Sequence, residues 1–167
     1  MKEIPYTDAM AVAMQKLTHG GAFLSVAGPT PNTMTIGWAS IGFFWNRPVL
    51  MAVVRKSRHT LGLLEAAGVF TVSVPTKNPL KAELAFAGTA SGRDVDKFSG
   101  HGLTPARART VDAPIVAECA LHFECRVRLT QDMTPDRMDQ AVLKTAYPRG
   151  DLHTMFFGEI LRCYEAD

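Results

Sequence analysis

Glu118-Cys-Ala-Leu-His-Phe-Glu-Cys-Arg-Val-Arg-Leu129 decides the fold class. Cys119, Leu121, Phe123, Cys125, Val127 and Leu129 alternate with Glu118, His122, Glu124, Arg126 and Arg128. This is the period of two of a β-strand, so one face is expected to meet the core and the other water or a partner. Downstream, 134–143 read as a short capped helix and 154–164 as a final strand. Upstream, 22–27, 33–41, 48–55 and 69–74 read as strands, with a turn at Gly28-Pro-Thr-Pro31. Val49-Leu-Met-Ala-Val-Val54 is apolar on both faces, as in a strand covered from both sides. Residues 7–17 repeat Met10, Met14 and Leu17 at helical spacing before Gly20-Gly21. Residues 60–68 and 78–88 read as short helices, the second with Asn78 as cap and Pro79 in its first turn. The stretch from Ser99 to about 114 reads as irregular. Five or six closely spaced strands with few helices imply a mainly β fold with short helices, a closed or nearly closed β-barrel. A parallel doubly wound sheet is the competing architecture, but it lacks a Gly-rich strand-to-helix turn and has only two helices between strands.

The 167 residues suit one domain over 1–167, and 47% hydrophobic with 20% charged residues is ordinary for a globular chain. A net charge of +2, with basic residues interspersed except at 55–58, argues against a nucleic-acid partner. No apolar run approaches the ~20 residues of a membrane span. Met1-Lys-Glu-Ile-Pro5 lacks the apolar core of a secretory signal, so a cytoplasmic protein without membrane association is expected. Cys119, Cys125 and Cys163 form no even framework and suit a reducing compartment. Cys119-x-x-His122-x-x-Cys125 has ligand-type residues at short spacing. Strand alternation nevertheless puts both sulfurs on one face and His122 on the other, so no metal site is expected.

The chemistry gathers in three segments. Asn32-Thr-Met-Thr-Ile-Gly-Trp38 sets hydroxyl and amide groups beside an indole, and Gly37 permits close approach of a flat ring. One strand later, Arg55-Lys-Ser-Arg-His-Thr60 packs three cations and two hydroxyls into six residues, directly before a helical pattern. A phosphate needs donors around three oxygens, and Arg, Lys, Ser, Thr and helix-start amides supply them. Gly88-Thr-Ala-Ser-Gly-Arg-Asp-Val-Asp-Lys-Phe98 adds a second loop in which Arg93 and Lys97 offer charge to an anion. Asp94 and Asp96, flanked by those cations, read as solvated ion-pair partners and carry no catalytic weight. A planar aromatic ligand with a phosphate tail, such as FMN, would use all three. No G-x-S-x-G elbow, Walker loop, H-E-x-x-H or G-x-G-x-x-G fingerprint is present, and no residue is assigned a catalytic role. A nicotinamide substrate would therefore bind transiently, without a Rossmann domain.

In this order the segments resemble the flavin reductase-like family, the FMN-binding split-barrel proteins that include the flavoredoxins. The resemblance rests on Asn32-x-Met34-Thr35-x-x-Trp38, Arg55-x-Ser57-x-x-Thr60 and Gly68-Val-Phe70-Thr-Val-Ser-Val74. It continues through Ser91-Gly-Arg-Asp-Val-Asp-Lys-Phe98 and Gly150-Asp-x-His153-Thr-x-x-x-Gly158-Glu. It implies an FMN-binding split β-barrel and a homodimer with FMN in a groove between subunits. Arg55, Ser57 and Thr60 would take the phosphate, with Lys56 beside them. Asn32, Met34 and Thr35 would line the isoalloxazine edge, and Trp38 would pack near the ring. Ser91, Gly92, Arg93 and Lys97 would close the site, and His153 would stand at the ring or substrate face. Ala87 stands where many relatives carry Cys, which counts against a thiol-linked redox role. The implied activity is reduction of flavin or a small acceptor with NADH or NADPH, by hydride transfer through flavin N5. The alternatives are a flavoredoxin-like electron carrier served by a redox partner protein, and a cofactor-free barrel acting as a binding module.

Overall fold

The computed structural model describes residues 1–166. In chain order these form β1 (Lys2–Glu3), α1 (Tyr6–His19), β2 (Ala22–Val26), β3 (Asn32–Ile36), β4 (Ala39–Phe44), β5 (Arg47–Arg55) and α2 (His59–Ala67). There follow β6 (Val69–Val74), α3 (Lys81–Thr89), β7 (Pro105–Arg107), β8 (Pro114–Val116) and β9 (Leu121–Asp132). A 3-10 turn at Pro135–Arg137, α4 (Gln140–Ala146) and β10 (His153–Glu165) complete the described chain.

Chain continuity makes the sheet a barrel. Seven strands pair antiparallel in the order β3-β2-β6-β9-β10-β5-β4, with β1 added to the end of β10. The two edge strands, β3 and β4, are consecutive in the chain, with Gly37 and Trp38 alone between them. Three Cα steps of 3.8 Å span at most about 11 Å. The sheet must therefore curl until its edges nearly meet. Among the described residues no β3–β4 ladder closes that seam, and the barrel is split along it. The expected single strand over 33–41 is corrected accordingly: the chain breaks at Gly37-Trp38 because its two halves serve opposite edges.

The main core fills this barrel. Ala22, Leu24 and Val26 of β2 meet Leu50, Ala52 and Val54 of β5 and Leu121, Phe123 and Cys125 of β9. Each fully buried Leu or Phe contributes roughly 1.5–3 kcal/mol from apolar surface removed from water. Helix α1 adds Ala9, Ala13 and Leu17 from one face, and α2 packs against β2, β3, β5 and β6. Strand β5 is covered on both sides, as its unbroken apolar run requires. A second cluster joins Phe23, on the other face of β2, to Leu84 and Ala87 of α3.

Five expectations need correction. The polar face of β9 does not meet water at His122 or Glu124, both fully buried. The segment expected to be irregular contains the β7–β8 hairpin, which lies over that face. Glu124 accepts backbone N–H bonds from Arg109 (2.7 Å), Thr110 (2.6 Å) and Val111 (3.2 Å). His122 Nδ1 pairs with Ser73 Oγ at 3.0 Å. A buried carboxylate is tolerable when such donors replace water. Cys119 does not share the face of Cys125: β9 starts at Leu121, and Cys119 belongs to the α3 cluster. Helix α3 starts at Lys81 behind Leu80, whose φ is 43°, so Asn78 and Pro79 precede it. The helix expected over 134–143 is the 3-10 turn followed by α4, which Asp139 caps through the N–H groups of Ala141 and Val142. Among the described residues no helix is long and apolar enough to cross a membrane.

Candidate functional site

At the split seam, β3, the end of β5 and the start of β10 bring Met34, Thr35, Gly37, Trp38, Val53, Arg55 and His153 around a cavity of about 180 Å³. Beside it, the first turn of α2 and the loop after α3 bring Ser57, His59, Thr60, Ser91, Gly92, Arg93 and Lys97 around a second, of about 150 Å³. Arg58 lines both. Each is smaller than the ~300 Å³ lower bound usual for small-molecule sites, and only the pair, joined at Arg58, reaches it. A hollow of about 610 Å³ between the β2 end and the β7–β8 hairpin is larger. Alanine and proline make up about half of its lining, with Arg107, Arg109, Thr110 and Asp112 among the rest, and none of the expected site residues reaches it. Chemistry favours the smaller pair.

The first cavity has an aromatic wall. Trp38 is half-exposed and lies 5.1 Å from the His153 ring and edge-on to Tyr147 at 6.1 Å. The Arg55 guanidinium stands 6.0 Å from the Trp38 ring centre and 5.3 Å from that of Tyr147. Burial, and then the charge of Arg55, push the His153 pKa down to about 4, so the ring is neutral at pH 7.

Cations gather at the second cavity. Lys97 is 3% exposed, and its ammonium donates to the Ala87 carbonyl at 2.9 Å. Burial, reinforced by Arg58, lowers its pKa to about 8. Arg93 donates to the Ser57 carbonyl at 3.1 Å. The Arg58 side chain makes no hydrogen bond or ion pair among the described residues, which leaves its donors available at the junction.

Several expected site residues are otherwise engaged. Lys56 lines neither cavity and pairs with Asp132 at 2.7 Å. Ser57 gives both its N–H and its hydroxyl proton to Asp151, at 3.0 and 2.7 Å. Arg55 donates to the carbonyls of Asp151 (2.9 Å) and Ala146 (3.4 Å), fastening the 146–151 loop. Asn32 is buried behind the cavities, and its amide donates to Thr60 Oγ1 at 2.8 Å. A Cβ on Gly92 would collide with Asn32 Oδ1 and with the His59 ring, so glycine is required where this loop crosses α2. Thr35 donates its hydroxyl to the Leu84 carbonyl at 2.6 Å. Arg58, Tyr147 and Asp151 are the additions. Arg58 was visible within the cationic run, whereas nothing local marks Tyr147 or Asp151.

A split barrel with an aromatic-walled hollow joined to a cationic one defines a class: a small β protein with a site for a planar, anionic ligand. The sequence model of the flavin reductase like domain matches residues 14–167, and the chain belongs to that family. An uncharacterised protein of Archaeoglobus fulgidus is 32% identical over 87% of this chain and 72% of its own length. The uncharacterised protein YddH of Escherichia coli K12 is 32% identical over 69% of this chain, which spans 62% of it. Among solved structures, flavoredoxin of Desulfovibrio vulgaris (Miyazaki F) superposes with a TM-score of 0.69 at 25% identity. It covers 89% of this chain, which spans 70% of that one. Flavoredoxin from Methanosarcina acetivorans gives 0.67 at 26% identity over 89% of this chain and 69% of its own.

Proposed function

We propose that this chain binds FMN in the paired cavities and works as an oxidoreductase that reduces flavin or a small acceptor with NAD(P)H. The observation that carries this is Arg58, an unengaged guanidinium where the aromatic-walled cavity meets the one holding Lys97 and Arg93. Family membership and the two flavoredoxin neighbours support FMN as the ligand. Met34, Val53 and Trp38 would hold the flat ring, while Arg58, Arg93, Lys97, Thr60 and Ser91 would hold the phosphate. Bound flavin supplies the redox chemistry; the protein binds and orients it and keeps water from its face.

Of the expected phosphate set Arg55, Ser57 and Thr60, with Lys56 beside it, Thr60 stays in the proposed site and Arg58 joins it. Arg55 and Ser57 fasten the 146–151 loop, and Lys56 pairs with Asp132. Arg58→Ala should weaken FMN binding by about 2 kcal/mol, roughly 30-fold, because a charge-assisted partner of the phosphate is lost. Lys56→Ala should stay within about threefold of wild type, as a surface ion pair contributes little. Fluorescence titration reads both, and equal affinities for wild type and Arg58→Ala would sink this assignment.

A homodimer is part of the proposal. The β4–β5 hairpin exposes Phe43, Phe44 and Trp45 at 60%, 51% and 53%, an apolar cluster that suits a second copy. The flavoredoxin neighbours favour a second reading, an electron carrier without NAD(P)H activity of its own. Anaerobic addition of NADH or NADPH to the FMN-loaded protein separates the two. Bleaching of the flavin band supports the reductase, and an unchanged spectrum supports the carrier.

A further inference from the structure

Tyr147, just beyond α4, holds its hydroxyl between two acceptors. Met133 Sδ lies at 3.3 Å and His153 Nδ1 at 2.8 Å. A phenol has one proton to give. If that proton goes to Nδ1, the imidazole carries its own on Nε2 and the sulfur receives nothing. If it goes to the sulfur, Nδ1–H donates to the phenol oxygen and Nε2 is left as a lone pair. The second arrangement makes two hydrogen bonds from the same three groups, the first only one. A thioether is a weak acceptor, so the surroundings decide. The groups facing this ring are Trp38, Tyr147, Arg55, Arg58 and Asp151. Arg55 and Arg58 line the same cavity as His153 and outnumber the Asp151 carboxylate that also acts on the ring, and two cations against one anion favour a lone pair over an N–H on its open edge. Nε2 has no hydrogen-bond partner among the described residues.

We infer that Met133, acting through Tyr147, is a positioning residue that holds His153 in its Nδ1–H tautomer, so that Nε2 offers the cavity an acceptor for an amide-type N–H on a planar ligand. The charged side chains of that cavity, Arg55 and Arg58, can only donate. His153 therefore selects for a ligand edge that carries a proton, an imide or a carboxamide, where the arginines select for oxygens. The ligand half of this inference rests on the FMN reading above; the tautomer does not.

Long-range ¹H–¹⁵N NMR of the histidine-labelled chain at pH 7, without added flavin, reads the tautomer directly. The wild type is expected to show a protonated Nδ1 and a bare Nε2 at His153. Met133→Leu conserves volume but removes the acceptor, and should move the population toward Nε2–H. A wild-type ring protonated on Nε2 overturns the inference, as does a Met133→Leu spectrum with the wild-type tautomer. The wild-type spectrum can refute it unaided, so a variant that fails to fold leaves the test intact. Separate additions of FMN and of nicotinamide then distinguish the two N–H sources. A shifted Nε2 resonance with either supports the acceptor role, and no shift with FMN shown by its fluorescence to be bound overturns it. Failure of FMN to bind, with the tautomer as stated, counts against the cofactor reading alone.

Discussion

Lys97, a proposed partner of the phosphate, carries a cost in stability. An ammonium that is 3% exposed and donates to the Ala87 carbonyl is poorly solvated, and burial with the nearby Arg58 brings its pKa from 10.5 to about 8. An unfolded chain keeps that proton to about pH 10.5. Between 8 and 10.5 the unfolded state therefore binds more protons than the folded one, and stability rises with pH across that window. Lys97→Met should raise the melting temperature at pH 7, with the gain shrinking as pH climbs from 8 toward 10.5. Thermal melts across that range check this, and a gain independent of pH would contradict it. The same variant should lose FMN affinity if the ammonium meets the phosphate. A cation whose pKa is lowered by burial in a cleft marks a candidate functional site.

Among the elements, β10 depends on one small residue. Its register against β9 shifts between Phe157 and Gly158. A Cβ on Gly158 would come within 2.6 Å of the Phe70 ring and 2.9 Å of the Cys125 Cβ. The extra residue at this irregularity is Arg128 of β9, and β10 lies so close to the core there that nothing larger than hydrogen fits at Gly158. Gly158→Ala should cost about 3 kcal/mol, the upper end of ordinary overpacking. Because β10 also carries His153 into the first cavity, FMN affinity should fall with stability. Urea unfolding gives the first quantity, and a loss below ~1 kcal/mol would mean that the strand adapts. The β4–β5 hairpin makes the opposite compromise. Trp45 and Asn46 both have positive φ, 53° and 56°, in a two-residue turn that favours Asn and Gly. A tryptophan held there carries roughly 1–2 kcal/mol of backbone strain. Its exposure of 53% suits the self-association proposed above.

The proposed association concerns the whole molecule. Trp45→Asn should leave the folding stability within ~1 kcal/mol of wild type, since relieved strain offsets lost ring contacts with Phe44 and Phe157. If the proposed homodimer forms through this hairpin, the substitution should weaken self-association at least tenfold, as measured by sedimentation equilibrium or concentration-dependent light scattering. Undiminished association would remove the hairpin from the interface. Acid sensitivity is a second global property. His122 and His153 are both buried and neutral, with pKa values brought from 6.5 to about 4, chiefly by burial. In the unfolded chain each takes up a proton near 6.5. Below that pH the unfolded state binds more protons, so stability falls as pH drops from 6.5 toward 4. Two such groups give a slope of up to about 2.7 kcal/mol per pH unit. The lowered carboxylates Asp132, Asp151 and Glu159 act only at lower pH, below their ordinary values. A melting temperature unchanged between pH 7 and 5 would refute the histidine account.

Local pattern was enough to read most strands of the barrel and the short helices between them. Period-two alternation marked β9, the doubly apolar run marked β5, and Gly68 ended α2 in its left-handed conformation. The same pattern could not say what covers each face. His122 and Glu124 look solvent-bound in sequence, and become buried because a hairpin more than ten residues upstream supplies N–H groups to the carboxylate. The cationic run at 55–60 was legible as a donor-rich loop, yet four adjacent side chains part company in space. Lys56 is drawn to Asp132, 76 residues away, and Ser57 and Arg55 to Asp151, more than 90 residues away, which leaves Arg58 to face the cavities. Residue types and their order thus fix which donors exist and on which kind of element they ride. Which of them stay free for a ligand depends on distant partners competing for the same protons, and that competition exists only once the chain has closed on itself.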